Sequence, residues 1–189
     1  MAGTVYDVPL RRIDGTETSL EDFAGQVLLV VNVASKCGLT PQYEGLEKLY
    51  EGRRERGLAV LGFPANDFGA QEPGTNEEIV TFCSTNYNVD FPLFEKISVA
   101  GETRHPLYRE LIAAQPAATE KPGSGLRAKL EGYGFKQNQR SDVLWNFEKF
   151  LIARDGRVVG RFAPDVAPDD AILLDAIDAE LAKEHSAIS

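Results

Sequence analysis

Two cysteines, Cys37 and Cys83, are where this chain's chemistry is first sought. Cys37 lies in Asn32-Val33-Ala34-Ser35-Lys36-Cys37-Gly38-Leu39-Thr40-Pro41, where an apolar, strand-like run gives way to a helix-like one. A helix N-terminus carries roughly +0.5 of an elementary charge and several unpaired N–H donors, and both favour an anion. Lys36 adds a full positive charge, and thiolate is the reactive form of cysteine. Buried cysteines also serve as small apolar fillers, but the neighbours Lys36, Gly38 and Thr40 are not core-like. Cys83 falls on a different predicted helix beside Phe82, where spacing fits an inert core thiol as well as a redox partner. A disulfide needs Cα atoms within about 7 Å, so pairing requires that helix to open locally near Thr85, Asn86 and Asn88. The block Phe63 to Gly74 follows a strand directly, where ligand sites of α/β proteins collect. Trp145-Asn146-Phe147 holds the only tryptophan, a residue more often core than catalytic. His105 and His185 belong to no metal-ligand cluster, two cysteines without a nearby histidine give no zinc spacing, and no Gly-rich phosphate loop is present.

The elements that must position these residues read as follows. Val5 to Ile13 with Asp14-Gly15 starts an N-terminal hairpin. Ser19 caps a helical turn at Leu20–Phe23, ended by Gly25. Gln26 to Val33 is apolar on both faces, as a strand covered on both sides must be. Pro41 opens a helix that Gly57 closes, and Leu58 to Phe63 is a second buried strand, so residues 26 to 63 form a βαβ unit. Thr75-Asn76-Glu77-Glu78 is a capping box for a helix that carries Ile79, Phe82 and Cys83 and frays near Asn86. Pro106 to Gln115 is another helix, and Pro116 to Asp142 a polar excursion rich in Gly and Pro. Trp145 to Ala153 and Arg157 to Ala163 flank the hairpin signal Asp155-Gly156. Asp169 to Glu184 closes the chain as an amphipathic helix. This order describes one α/β domain, a central mixed sheet with helices on both faces.

The bulk properties narrow the partners. A chain of 189 residues with 43% apolar content is long enough for a sizeable core without disulfides. A net charge of −9 argues against nucleic acid and anionic membrane surfaces. The longest unbroken apolar run, Val27 to Val31, is far short of the roughly 20 residues of a membrane span. The N-terminus has no basic region followed by an apolar stretch, so the sequence reads as soluble and cytoplasmic.

Taken together, three segments resemble the glutathione peroxidase family: Asn32 to Gly38, the block Phe63 to Gly74 ending in Gln71-Glu72-Pro73-Gly74, and Trp145-Asn146-Phe147-Glu148-Lys149-Phe150. They stand in family order over most of the chain. The resemblance implies a single thioredoxin-like domain over residues 1–189 and the reduction of hydrogen peroxide and organic or lipid hydroperoxides. It makes Cys37 the peroxidatic residue, with Gln71, Trp145 and Asn146 completing a catalytic tetrad. Cys83 then matches the resolving cysteine of thioredoxin-dependent members. By that route Cys37 becomes a sulfenic acid, condenses with Cys83, and is recycled by thioredoxin. No cofactor and no metal is implied.

The chain departs from the family pattern at several points. Ala65 stands where many relatives have a third cysteine, Asp67 where they have glutamine, and Ala100 where asparagine is usual before Gly101. Of the arginine cluster that glutathione-using members carry near residues 160–165, only Arg161 remains. Glutathione is an anion at neutral pH, so an acidic protein with a depleted arginine set should bind it weakly. Thioredoxin is therefore the favoured reductant, with direct reduction by glutathione as the alternative. Other readings are a peroxide sensor that passes its disulfide to a client protein, and a binding module with inert cysteines. The extended loop at about 116–142 resembles one that larger members use for subunit contacts; as a solvated insertion it would have no such role.

Overall fold

The computed structural model describes residues 5–135, 137 and 139–183, so His185 and the predicted helix end at Glu184 lie outside the described residues. The N-terminal hairpin pairs β1 (Leu10–Arg11) with β2 (Glu17–Thr18), its turn closed by the Asp14 carboxylate, which accepts the Thr16 N–H at 2.9 Å. The main sheet is built on β3 (Val27–Val33), buried at all seven positions. It pairs in parallel with β4 (Leu58–Pro64) and antiparallel with β5 (Lys149–Ile152). β5 in turn pairs antiparallel with β6 (Val158–Phe162), which gives the order β4-β3-β5-β6 and the mixed sheet expected.

Side chains of a strand alternate between faces, and β3 divides the core accordingly. Val27, Leu29, Val31 and Val33 join α1 (Gln42–Arg53), α2 (Asn76–Tyr87) and α5 (Ala171–Leu181) through Leu46, Ile79, Cys83, Leu173 and Ile177. Leu28 and Val30 join α3 (Pro106–Ala114) and the N-terminal segment through Leu107, Tyr108, Leu111, Leu10 and Phe23. Helices thus cover both faces. None of them is long and apolar enough to cross a membrane.

Local expectations hold in part. The Thr75 capping box is complete, with Glu78 N–H on the Thr75 hydroxyl and Thr75 N–H on the Glu78 carboxylate. The helical turn Leu20–Phe23 is a 3₁₀ turn, and Ser19 makes no side-chain cap. Pro41 is the N-cap of α1 rather than its first residue, so Cys37 stands ahead of the helix and not in its first turn. The turns Thr40 N–H to Cys37 O, Gln42 N–H to Leu39 O and Tyr43 N–H to Thr40 O wind the intervening residues into α1. The excursion 116–142 contains a helix, α4 (Leu126–Gly132), which the polar composition hid. Leu126 and Leu130, four residues apart, pack its one apolar side on the core.

Strand direction decides what meets at one end of the sheet. β3 and β4 run parallel and both finish there, while β5 runs the opposite way and starts there. The turn carrying Cys37, the loop after β4 and the segment leading into β5 therefore leave the sheet at the same end.

Candidate active site

Cys37 is buried, at 8% exposure, in the turn between β3 and α1. The Thr40 hydroxyl holds that turn closed: it accepts the Cys37 N–H at 2.9 Å and donates to the Ala34 carbonyl at 2.8 Å. The Leu39 N–H donates to Cys37 Sγ at 3.3 Å, the one hydrogen bond the sulfur accepts among the described residues. The donor at the sulfur is thus a turn amide, a more local contact than the helix terminus expected from sequence.

The loop after β4 grips the same turn. The Gln71 carbonyl accepts the Lys36 N–H at 3.0 Å, and Glu72 Oε1 accepts the Ser35 N–H at 3.1 Å. Burial pushes the Glu72 carboxyl up, against the pull of its Ser35 bonds and of Lys96 and Lys36. The loop folds tightly to do this: Gly69 has φ +67°, and a Cβ there would lie 3.2 Å from the Trp145 ring. Ala70, next to Gln71, has φ +52°, a strained conformation for a residue with a side chain.

The segment entering β5 is fixed by Asn32, whose role sequence reasoning missed. Asn32 Nδ2 donates to the Trp145 carbonyl at 3.1 Å, and Phe147 N–H donates to the Asn32 carbonyl at 2.6 Å. Phe147 is held at φ +69° by these bonds together with the Lys149 ammonium, which donates to the Phe147 carbonyl at 2.7 Å and to Pro164 at 3.0 Å. Burial pushes Lys149 down to about 7. An asparagine inside a seven-residue apolar strand was the available signal, since a buried amide requires partners.

Of the four residues assigned to a tetrad, Gln71 and Asn146 meet directly, Asn146 Nδ2 donating to Gln71 Oε1 at 2.9 Å. The Asn146 amide also reaches the Phe68 carbonyl at 3.4 Å. With its oxygen committed to Asn146, the Gln71 amide turns its NH₂ group the other way, where it makes no hydrogen bond among the described residues. Trp145 packs against Phe68, ring centroids 5.6 Å apart, and shares one buried cluster with Cys37. Gln71, Trp145 and Asn146 make no hydrogen bond to Cys37 Sγ among the described residues.

Cys83 lies in the C-terminal half of α2, 1% exposed, in the same cluster as Cys37, and both thiols are free. Burial pushes its thiol up to about 11, opposed by the Tyr43 hydroxyl and reinforced by Glu72. Tyr43 acts on it at looser than ordinary hydrogen-bond geometry, since its hydroxyl has no hydrogen-bond partner among the described residues. The rings of Phe82, Tyr87, Phe91 and Phe147 pack around Tyr43 and clamp α2 to α1.

Arg161 is not placed to bind an anion. Its side chain is 2% exposed, paired through Nε with Glu148, and its Nη groups donate to the carbonyls of Gln115, Ser141 and Asp142 at 2.9 to 3.0 Å. Outside this region the carboxylates of Glu47, Glu51 and Asp90 lie within 4.8 Å of one another, the one grouping of metal-ligand spacing among the described residues.

A sequence model described as glutathione peroxidase matches residues 5–112. The chain is 52% identical to the thioredoxin/glutathione peroxidase BtuE of Escherichia coli (strain K12), over 97% of this chain and 100% of that protein. It is 46% identical to the hydroperoxy fatty acid reductase gpx1 of Synechocystis sp. (strain ATCC 27184 / PCC 6803 / Kazusa), over 88% of this chain and 90% of that one. Among solved structures, T. cruzi GPX1 superposes with a TM-score of 0.68 at 30% identity, covering 94% of this chain and 95% of that one.

Proposed function

This chain belongs to the glutathione peroxidase family, has a thioredoxin-like fold and is a thiol peroxidase that reduces hydroperoxides, and within that activity we propose that Cys37 is the peroxidatic residue and Cys83 its resolving partner. The Cys37 thiolate attacks one oxygen of the hydroperoxide. An S–O bond forms, the O–O bond breaks, and the leaving oxygen takes a proton to become alcohol or water, leaving a sulfenic acid. The NH₂ of Gln71 and the indole N–H of Trp145 are donors that stay protonated at neutral pH, suited to charge growing on the leaving oxygen. Asn146 is then a positioning residue, which fixes the orientation of the Gln71 amide.

In the second step the Cys83 sulfur attacks Cys37 Sγ, an S–S bond forms, and the hydroxyl leaves as water. A dithiol reductant returns both thiols by exchange through a mixed disulfide. The observation that carries this scheme is that Cys37 and Cys83 belong to one continuous buried cluster. A thiol pushed up to about 11 is protonated at neutral pH, so opening of α2 serves twice: it brings the sulfurs together and returns Cys83 toward the ordinary value near ~8.5.

We favour thioredoxin over glutathione because the guanidinium that would bind an anionic tripeptide is consumed inside the protein. The relative named thioredoxin/glutathione peroxidase is consistent with a thioredoxin-driven cycle. The proposed compartment is the cytoplasm, where thioredoxin keeps thiols reduced. Turnover of Cys83→Ser tests the scheme. With thioredoxin as reductant its steady-state rate should fall at least about 100-fold, while the first oxidation of Cys37 keeps its rate. An unchanged rate with thioredoxin would remove Cys83 from the mechanism, and full activity with glutathione alone would favour direct reduction.

A further inference from the structure

The segment 116–142 is tied to its own subunit at both ends. Arg161 Nη1 donates to the Gln115 and Ser141 carbonyls at 2.9 Å each, and Nη2 donates to the Asp142 carbonyl at 3.0 Å, which closes the neck of the loop. Near its start, Thr119 N–H donates to Arg161 O at 2.7 Å and Ala163 N–H to Thr119 O at 2.9 Å, along β6. Farther on, buried Leu130 anchors α4.

The end of α4 has a defined reversal. Phe135 N–H donates back to the Leu130 carbonyl at 2.9 Å and Gly134 N–H to Glu131 at 3.0 Å, with Gly134 at φ +90°. This is the hydrogen-bond pattern of a helix that stops at a left-handed glycine and turns back on itself. Phe135 is delivered by it onto Trp145, ring centroids 4.7 Å apart and planes at 58°.

Two aromatic rings from different loops, Phe68 and Phe135, therefore contact the indole assigned to the leaving oxygen. Phe135 nevertheless remains 41% exposed, and Tyr133 beside it 68%. The space between is a cavity of about 250 Å³ with an apolar side made by Phe68, Phe135, Leu144 and Trp145 and a polar side that includes Asp67, Gln137 and Asp142. That is below the ~300 Å³ at which drug-sized pockets begin, and its aromatic side suits a compact alkyl or aryl group.

We propose that Phe135 is a specificity-determining residue: with Phe68 and Trp145 it forms an aromatic wall that holds the apolar substituent of an organic hydroperoxide. The inference rests on Trp145 acting at Cys37, as argued above. Hydrogen peroxide has no such substituent and gains nothing from the wall. Cys37 does not line this cavity, so the link runs through Trp145, which shares a buried cluster with the sulfur. An organic hydroperoxide covers exposed surface of Phe135, and that contact, kept in the transition state, counts toward kcat/KM.

The test is the ratio of kcat/KM for cumene hydroperoxide to that for hydrogen peroxide, measured by peroxide consumption with thioredoxin recycling. In Phe135→Ala the ratio should fall about tenfold, the scale of discrimination by apolar contacts, and Phe135→Leu should recover much of it. A ratio unchanged from the wild type, including one in which both rates fall together, would overturn the proposal. Failure of the folded wild-type protein to consume either peroxide would instead strike the peroxidase reading, and this inference with it. Because Phe135 is partly exposed, its thermal unfolding should match the wild type, which separates a change in selectivity from a loss of fold.

Discussion

Cys37→Ser is expected to abolish peroxide consumption, with kcat/KM lowered at least about 1,000-fold. The expectation follows from the chemistry of the atom replaced. A serine hydroxyl is not appreciably ionised at neutral pH and has no oxidation state corresponding to the sulfenic acid, so neither the attack nor the intermediate survives. The fold should survive. The exchange replaces one atom by a smaller one, the Leu39 N–H that donates to sulfur can donate to oxygen, and the Thr40 hydroxyl still closes the turn. Residual-peroxide assays beside a thermal melt make the comparison. Lost activity with an unchanged melt is the predicted pair, whereas substantial turnover by the folded variant would move the chemistry away from this residue.

The largest expected effect on stability comes from Arg161→Met, about 3–5 kcal/mol of destabilisation in urea titrations. Methionine fills much of the aliphatic volume but leaves Glu148, fully buried, without its counter-ion. It also strips partners from the carbonyls of Gln115, Ser141 and Asp142. Burial already pushes the Glu148 carboxyl up, and Arg161 is the main influence pulling it back. Without Arg161 the folded-state value rises further above the unfolded one. The variant should then be least handicapped below the ordinary Glu range and lose stability as pH rises through the raised value. Arg161→Lys should recover only part of the loss, because one ammonium cannot replace a planar fork reaching four partners. A loss below about 1 kcal/mol, together with a selective loss of glutathione-driven activity, would mean that the arginine serves an anion and not the fold.

These two residues mark the limits of what the sequence conveyed. Cys37 was legible because its surroundings are local: an apolar strand, a break, then non-core neighbours leading into a helix. The Thr75 capping box and the Asp155-Gly156 hairpin were legible for the same reason, each being specified within a few residues. Arg161 was legible only as the remnant of an arginine cluster, and its structural role was not, because its partners come from residues 115, 141, 142 and 148 and no short-range pattern links them. The meeting of Gln71 with Asn146 depends on β5 running antiparallel to β3, a property of the sheet rather than of either segment. α4 was obscured because a helix of two turns needs only Leu126 and Leu130 on its buried side, too few to stand out in a polar stretch. Resemblance to the family named Cys37, Gln71, Trp145 and Asn146 together, of which the geometry joins Gln71 to Asn146, and it assigned no role to Phe135 or Asn32.

The most direct test of the account is the intact mass of the reduced protein after one equivalent of hydrogen peroxide, with peptide mapping of the product. The account predicts a loss of two hydrogens, about 2 Da, and one cross-linked peptide pair joining Cys37 to Cys83. A stable gain of one oxygen, about 16 Da, at Cys37 with Cys83 still a free thiol would contradict the resolving role. No change in mass while peroxide disappears would contradict the sulfur chemistry altogether.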